Sequence, residues 1–217
     1  MTNFNQSELP KEQIDLVFDL YTKAMYHEAI NEIKILNETY PNVPILFNLA
    51  GACYKGLGQL KGSAKMFKMA VNLQSDYAEA LARIGNCYMQ LQNIVSAENY
   101  YQKSLTIEPQ GYVASVGLGL LEVQLNKFDD ALKRFTELTQ NYPDSDKAFS
   151  GLGIAYSKKN KISNAMDAFS KALTLNIENF EYFKKLVHER ALRKPIAYLL
   201  NKKFFWKSEF YVNRNTL

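Results

Sequence analysis

Two sets of residues have types that could support catalysis or metal binding, and each fails a requirement of that chemistry. His188 is followed by glutamate as in a zinc-protease helix, but the second histidine of such a site would fall at Leu192. The other histidine, His27, and the cysteines Cys53 and Cys87 are scattered along the chain, whereas metal ligands cluster. The sequence therefore predicts no metal site and no cofactor.

Two glycine pairs, Gly117 with Gly119 and Gly151 with Gly153, look like the start of a nucleotide-binding fingerprint. The third glycine of that motif is missing from both, and the apolar pattern places both inside helices with no preceding strand. We expect these glycines to serve helix packing. With no catalytic residues identified, the chain is predicted not to be an enzyme.

Composition and charge favour a soluble protein with a basic end. Apolar residues make up 47% and charged residues 22% of the 217 positions, as in ordinary globular proteins. No apolar run is long enough to cross a membrane, and two cysteines are too few for a disulfide framework. We therefore expect a cytoplasmic protein. Residues 1–179 carry a net charge of −2, whereas residues 180–217 carry +6.

The glycine pairs belong to a repeat of 34 residues that aligns without a gap. Its five units are 10–43, 44–77, 78–111, 112–145 and 146–179, preceded by a lead over 1–9. The eighth place of the last four units holds Gly51, Gly85, Gly119 and Gly153, and their twenty-fourth place holds Phe67, Tyr101, Phe135 and Phe169. Because the pattern recurs in five consecutive units, we expect all five units to have the same fold.

Each unit has two stretches of apolar residues at helical spacing, separated by a short polar break. This pattern predicts two antiparallel helices, whose small residues allow close approach and whose aromatic residues fill the adjoining space. Enlarging Gly119 or Ala131 should overpack that interface, at a cost of about 1–3 kcal/mol. Glu122 stands at the eleventh place, where three units have tyrosine, and we expect it to loosen the fourth unit.

These residues resemble the tetratricopeptide repeat family, and the resemblance covers residues 10–179. It implies an all-α fold, a right-handed superhelix of five helix-turn-helix repeats. Residues 180–194 are predicted to form a capping helix. The run from Gly51 to Tyr88 also looks like the repeats that precede catalytic domains in bacterial sulfotransferases and glycosyltransferases. That weaker resemblance implies a substrate-recognition or assembly region of an enzyme.

The resemblance also implies where a partner binds, because the first helix of each repeat lines the concave face. The predicted groove comprises Asn48, Lys55, Asn86, Met89, Val113, Val116, Leu120, Val123, Ile154 and Lys158. Its apolar members favour an interaction surface for a protein, peptide or helix. The alternative is that the array is tightly wound and these apolar residues are interior.

The segment 195–217 combines aromatic and basic residues. Its aromatic members, predicted to dock on a protein surface, are Phe204, Phe205, Trp206, Phe210 and Tyr211. The first interpretation is that the segment docks on this chain or on a second copy of it. Docking on a second copy would cause self-association. The second is a membrane anchor, making the chain a membrane-peripheral adaptor. A third is that the segment leads into a further domain of a longer protein, and nucleic-acid stacking ranks last. The function favoured by the sequence is a non-catalytic protein-binding scaffold.

Overall fold

A computed structural model describes residues 9–175, and within this range the chain forms ten α-helices and no β-strand. The helices are α1 (Lys11–Thr22), α2 (Tyr26–Thr39), α3 (Pro44–Gly56), α4 (Leu60–Leu73), α5 (Ala78–Gln90), α6 (Ile94–Ile107), α7 (Tyr112–Gln124), α8 (Phe128–Asn141), α9 (Asp146–Lys158) and α10 (Ile162–Leu175). The all-α class predicted from the repeat is confirmed. The predicted capping helix over 180–194 and the tail over 195–217 lie outside the described residues.

The chain divides into two compact units, residues 1–117 and 118–217, with the division inside α7. In the first unit, α1 packs on α2, α3 on α4 and α5 on α6, while α4 also packs on α5. In the second unit, α9 packs on both α8 and α10. The helices thus form the adjacent pairs that the two-helix repeat predicts.

The first helix of every pair ends in the same turn. The fifteenth residue of each repeat has a left-handed backbone, with φ between 57° and 73°, and these residues are Ala24, Gly58, Gln92, Asn126 and Asn160. The following N–H reaches back to the carbonyl at the eleventh place, as from Gln59 to Tyr54 at 2.9 Å and from Lys127 to Glu122 at 2.8 Å. This hydrogen bond closes the helix end and lets the chain reverse into the second helix.

The aromatic ring at the twenty-fourth place fills the space that the glycines leave. Tyr101 is 1% exposed and lies over Gly85 of its own repeat and Gly117 of the next. A Cβ atom on Gly85 would stand 2.6 Å from that ring. In the second unit, fully buried Phe135 lies over Gly151 in the same manner. The glycine pairs therefore serve close packing, and Gly117 and Gly151 contact an aromatic residue of the preceding repeat.

Glu122 does not loosen the fourth repeat as the sequence suggested. It is 7% exposed, and Arg134 donates to its carboxylate from Nε at 3.0 Å and from Nη2 at 2.7 Å. The charge is therefore neutralised by a residue on α8, and the ion pair joins the two helices of the repeat. Paired, hydrogen-bonded carboxylates are the kind that a protein interior can hold.

Candidate functional site

Polar side chains from α3 and the start of α5 meet in the first unit, and we call Asn48, Tyr77, Glu79 and Arg83 the polar cluster. Asn48 donates from Nδ2 to the Tyr77 hydroxyl at 2.9 Å. Arg83 donates to the Glu79 carboxylate from Nε at 3.0 Å and from Nη2 at 2.5 Å. Residues of two successive repeats therefore contribute to one polar surface.

Asn48 has an unsatisfied hydrogen-bond acceptor. Its side chain is 6% exposed, and its Oδ1 atom has no hydrogen-bond partner within residues 9–175. A buried acceptor left without a partner costs about 1–3 kcal/mol. An N–H group from a bound molecule would remove that cost. The cluster is therefore suited chemically to a ligand that donates a hydrogen bond.

Tyr77 remains protonated in this environment. Burial, and after it the nearby Glu79 carboxylate, raise the pKa of the Tyr77 hydroxyl. A protonated hydroxyl can accept the Asn48 amide and still donate its own hydrogen. Arg83 lies with its guanidinium carbon 6.0 Å from the centre of the Phe67 ring, so its side chain is held by the ring as well as by Glu79.

A second asparagine, Asn86, is oriented by the packing of α5 against α6. The Tyr101 hydroxyl donates to Asn86 Oδ1 at 2.7 Å. Because the oxygen of the amide is engaged, its NH2 group points the other way as a hydrogen-bond donor. The ring of Tyr101 is buried over Gly85. The packing of that ring in the core of the repeat therefore sets the orientation of the half-buried Asn86 side chain.

The remaining groove residues of the first unit differ in exposure. Lys55, Met89 and Val113 are half-buried, whereas Val116 is buried. Half-buried side chains leave surface that a ligand can cover. The burial of Val116 instead favours the interior alternative at that position.

The predicted groove residues of the second unit show the same mixture. Leu120 is half-buried and Lys158 is exposed, while Val123 and Ile154 are each 8% exposed. The two buried side chains again favour the interior alternative. Leu120 and Lys158 remain the positions of this unit where a ligand could make contact. The predicted docking residues Phe204, Phe205, Trp206, Phe210 and Tyr211 lie outside the described residues.

The part of the chain that the structure describes offers no group of three His, Cys, Asp or Glu side chains that could hold a metal ion. His27 is exposed, and Cys53 and Cys87 are buried thiols that form no disulfide. Burial raises the pKa of the Cys53 thiol to about 11. None of the helices between Lys11 and Leu175 combines the length and the apolar character needed to cross a bilayer.

Tyr77 is the residue of this site that sequence reasoning missed. It stands at the last place of its repeat, directly before α5, where neither helical periodicity nor a repeated residue type marks it. Its partner Asn48 is 29 positions earlier in the chain. The sequence offers one signal for Tyr77, which is its place directly before α5. It stands two residues before Glu79 and six before Arg83, the other members of the polar cluster on this helix.

Comparison with protein families gives two matches, both described as tetratricopeptide repeat. One covers residues 78–110 and the other residues 116–179. These ranges include all but the last residue of the third repeat, most of the fourth and the whole of the fifth. No curated protein sequence matches the chain.

Similar solved structures support the same fold. The protein TTC0263 of Thermus thermophilus has a TM-score of 0.69 and 16% identity, over 88% of this chain and 98% of that one. MamA of Desulfovibrio magneticus RS-1 has a TM-score of 0.62 and 17% identity, over 77% and 95%. YrrB, described as having an unusual peptide-binding site, has a TM-score of 0.55 and 19% identity, over 77% and 87%. The two matches identify tetratricopeptide repeats within residues 78–110 and 116–179, and the paired helices support the assignment of the chain to that family.

Proposed function

We propose that this chain is a non-catalytic scaffold that binds an extended peptide or a helix of a partner protein. Tetratricopeptide repeats generally mediate protein binding, and the paired-helix fold supplies a rigid surface for it. Within each unit, the proposed contact surface consists of the first helices of the repeats. Its main site is the polar cluster of the first unit, together with Asn86.

The observation that carries the proposal is the buried, unpaired Oδ1 atom of Asn48. A peptide backbone presents N–H and C=O groups alternately, so it can donate to Asn48 while it accepts from a neighbouring donor. Asn86 offers such a donor, because its oxygen is engaged by Tyr101. Asparagine amides that are already oriented bind a backbone at a lower entropic cost than mobile ones.

Apolar contacts would supply the remaining affinity. In the first unit, half-buried Met89 and Val113 are the proposed positions for side chains of the ligand. In the second unit, Leu120 has that role and Lys158 would contact an acidic group. Val116, Val123 and Ile154 are buried and would support their neighbours instead of contacting the ligand. A peptide-binding site is reported for YrrB, which shares the fold.

The cytoplasm is the proposed location of this function. Both cysteines are buried thiols outside any disulfide, and reducing compartments keep thiols in that state. The location agrees with a partner that is itself a soluble protein or the exposed segment of one.

A peptide-display selection tests the proposal. Random peptides are selected on the full chain and then challenged with the double variant Asn48→Ala, Asn86→Ala. The control carries Asn141→Ala and Asn164→Ala, two exposed asparagines of the second unit. We expect peptides that bind the wild type and the control equally, and the Asn48/Asn86 variant at least tenfold more weakly. Circular dichroism verifies that all variants are folded. Equal binding to both double variants would contradict the proposed site.

A further inference from the structure

A second concave site lies in the first unit, among α4, α5 and α6. It is a cavity of about 540 Å³, within the range of about 300–1,000 Å³ that is typical of ligand pockets. The side chains Leu81 and Ile84 of α5 are buried at its base, and Val71 and Ile107 of the flanking helices also line it. Apolar atoms thus form most of the inner surface, which suits an apolar side chain.

Two lysines and an aromatic ring line the same cavity. Lys68 of α4 and Lys103 of α6 have their Nζ atoms 5.8 Å and 5.5 Å from the centre of the Tyr100 ring. Lys68 also donates to the Tyr88 hydroxyl at 2.7 Å, and Tyr88 stacks on Tyr100 with ring centres 5.5 Å apart. The hydrogen bond to Tyr88 raises the pKa of Lys68, so its ammonium group keeps its charge.

These charges lack acidic partners. Within residues 9–175, no carboxylate lies at ion-pair distance from either Lys68 or Lys103. The helix α4 contains Lys61, Lys65 and Lys68 and no acidic residue. Their spacing of four and then three positions places them on one side of the helix. The cavity therefore opens beside a row of uncompensated positive charge.

We propose that this cavity is a second binding site, which takes one apolar side chain of an acidic peptide segment while carboxylates of that segment contact Lys68 and Lys103. The site goes beyond the proposed function, because it is formed chiefly by the second helices of two repeats. An ion pair at the edge of an apolar pocket adds specificity and speeds association, and the buried apolar group adds affinity.

Charge favours an acidic partner over the chain's own basic end as the occupant of the cavity. The segment 195–217 contains four Lys or Arg residues and one Glu, so it would be repelled by the row of lysines on α4. The concave shape decides between a peptide and a membrane. An open concave site receives a protruding side chain, whereas an interfacial membrane site presents protruding apolar residues to the lipid.

Fluorescence anisotropy of the full chain tests the site. The probes are labelled peptides in which one leucine, isoleucine, phenylalanine or tryptophan stands between runs of glutamate. Matched peptides have glutamine in place of glutamate, or serine in place of the apolar residue. The double variant Lys68→Gln, Lys103→Gln is compared with Lys34→Gln, Lys133→Gln, which makes the same change of net charge at exposed lysines of α2 and α8. None of these substitutions falls in the polar cluster.

We expect at least one acidic peptide to bind the wild type and the Lys34/Lys133 control, with affinity about tenfold lower for the Lys68/Lys103 variant. Both matched peptides should bind more weakly. A third variant, Asn72→Trp, should block the cavity at its edge and reduce binding without any change of charge. Three results would each overturn the proposal: no acidic peptide binds at low salt, the two double variants lose affinity equally, or Lys68 and Lys103 are needed for phosphatidylserine vesicles or self-association and not for peptides.

Discussion

The third and fourth repeats place different chemistry at the same two positions. At the eleventh and twenty-third places, the third repeat has Tyr88 and Tyr100, whose rings are stacked with centres 5.5 Å apart and planes 9° apart. The fourth repeat has Glu122 and Arg134, joined by an ion pair with an N–O distance of 2.7 Å. The backbone at these places therefore accepts either pair. The two residues must be chemically complementary, either as two rings that stack or as two opposite charges that pair.

The two pairs differ in what remains when one partner is lost. Tyr88 and Tyr100 are half-buried, and either ring alone is still a large apolar group. Glu122 is 7% exposed, and without Arg134 its charge would be buried with no counter-charge. Removal of one partner from a buried ion pair is much more destabilising than the net contribution of the pair. The fourth repeat should therefore be the more sensitive of the two.

The largest effect is expected from Arg134→Ala. It should lower the free energy of unfolding by about 3 kcal/mol, at the lower end of the range for buried pairs because Arg134 is partly exposed. The double variant Glu122→Tyr, Arg134→Tyr recreates the pair of the third repeat and should recover most of that loss. Urea denaturation followed by circular dichroism measures both. If Arg134→Ala and the double variant are equally unstable, the two places are not interchangeable.

The matching variant of the third repeat is Tyr100→Ala. It removes the stacked ring and leaves Tyr88 in contact with Lys68, so we expect a loss of about 1.5 kcal/mol in the same denaturation experiment. A loss equal to or larger than that of Arg134→Ala would show that burial of charge is not what distinguishes the repeats.

A feature that the two repeats share provides the next test. In both, an aromatic ring lies over the glycine at the eighth place: a Cβ atom on Gly85 would be 2.6 Å from Tyr101, and one on Gly119 would be 2.8 Å from Phe135. Alanine favours helix over glycine, but the overlap should dominate and destabilise each variant by about 1 kcal/mol. Thermal unfolding of Gly85→Ala and Gly119→Ala should give similar shifts. Alanine at exposed Gly58 would be the wrong control, because its φ of 73° disfavours side chains.

Alkaline pH tests the packing of the first unit through Cys53, whose side chain is fully buried there. Burial raises the pKa of Cys53 from 9.0 to about 11. Between these values the unfolded chain releases the thiol proton and the folded chain keeps it. The associated stability is present below pH 9 and is lost as pH rises toward 11, by on the order of 1 kcal/mol at pH 10. Cys53→Ala should therefore lose less stability than the wild type between pH 8 and pH 10.

The control for the alkaline experiment is Val17→Ala, which truncates another fully buried side chain of the first unit without removing a titratable group. Its stability should fall between pH 8 and pH 10 by the same amount as that of the wild type. A parallel fall for all three proteins would mean that the Cys53 thiol titrates normally in the folded chain.

The contrast between the repeats also marks how far sequence reasoning reaches. Small and aromatic residues recur at fixed places, and each makes its contact within one repeat or with the next, as Tyr101 does with Gly85 and Gly117. A period read from the sequence therefore predicts the fold. Arg134 occupies a place where the five repeats have five different residues. The pairing of Glu122 with Arg134 consequently leaves no repeated signal.

The candidate site shows the same limit. Asn48 and Asn86 were identified because the family resemblance assigns ligand-facing places, but the hydrogen bond from Asn48 to Tyr77 links positions that no periodicity connects. Which apolar groove positions are buried depends on how far each helix turns toward its neighbours. Val123 is 8% exposed although its place was predicted to face a ligand. Such rotations are set by packing along the whole helix and not by the residue itself.

The smallest expected effect concerns the turn between the paired helices, where the units again use different residues in one conformation. Ala24 in the first unit has φ of 59°, and Asn126 in the second has φ of 60°. A left-handed backbone is strained for alanine and better tolerated by asparagine, while glycine adopts it freely. Ala24→Gly should raise the free energy of unfolding by about 0.5 kcal/mol, since the greater freedom of glycine in the unfolded chain offsets part of the relieved strain. Asn126→Ala should lower the free energy of unfolding by a similar amount. The measurement is the urea midpoint of each variant. Opposite shifts would establish that both units require the turn conformation and not a particular side chain. Shifts of the same sign would show that side-chain contacts at these two positions outweigh the backbone strain.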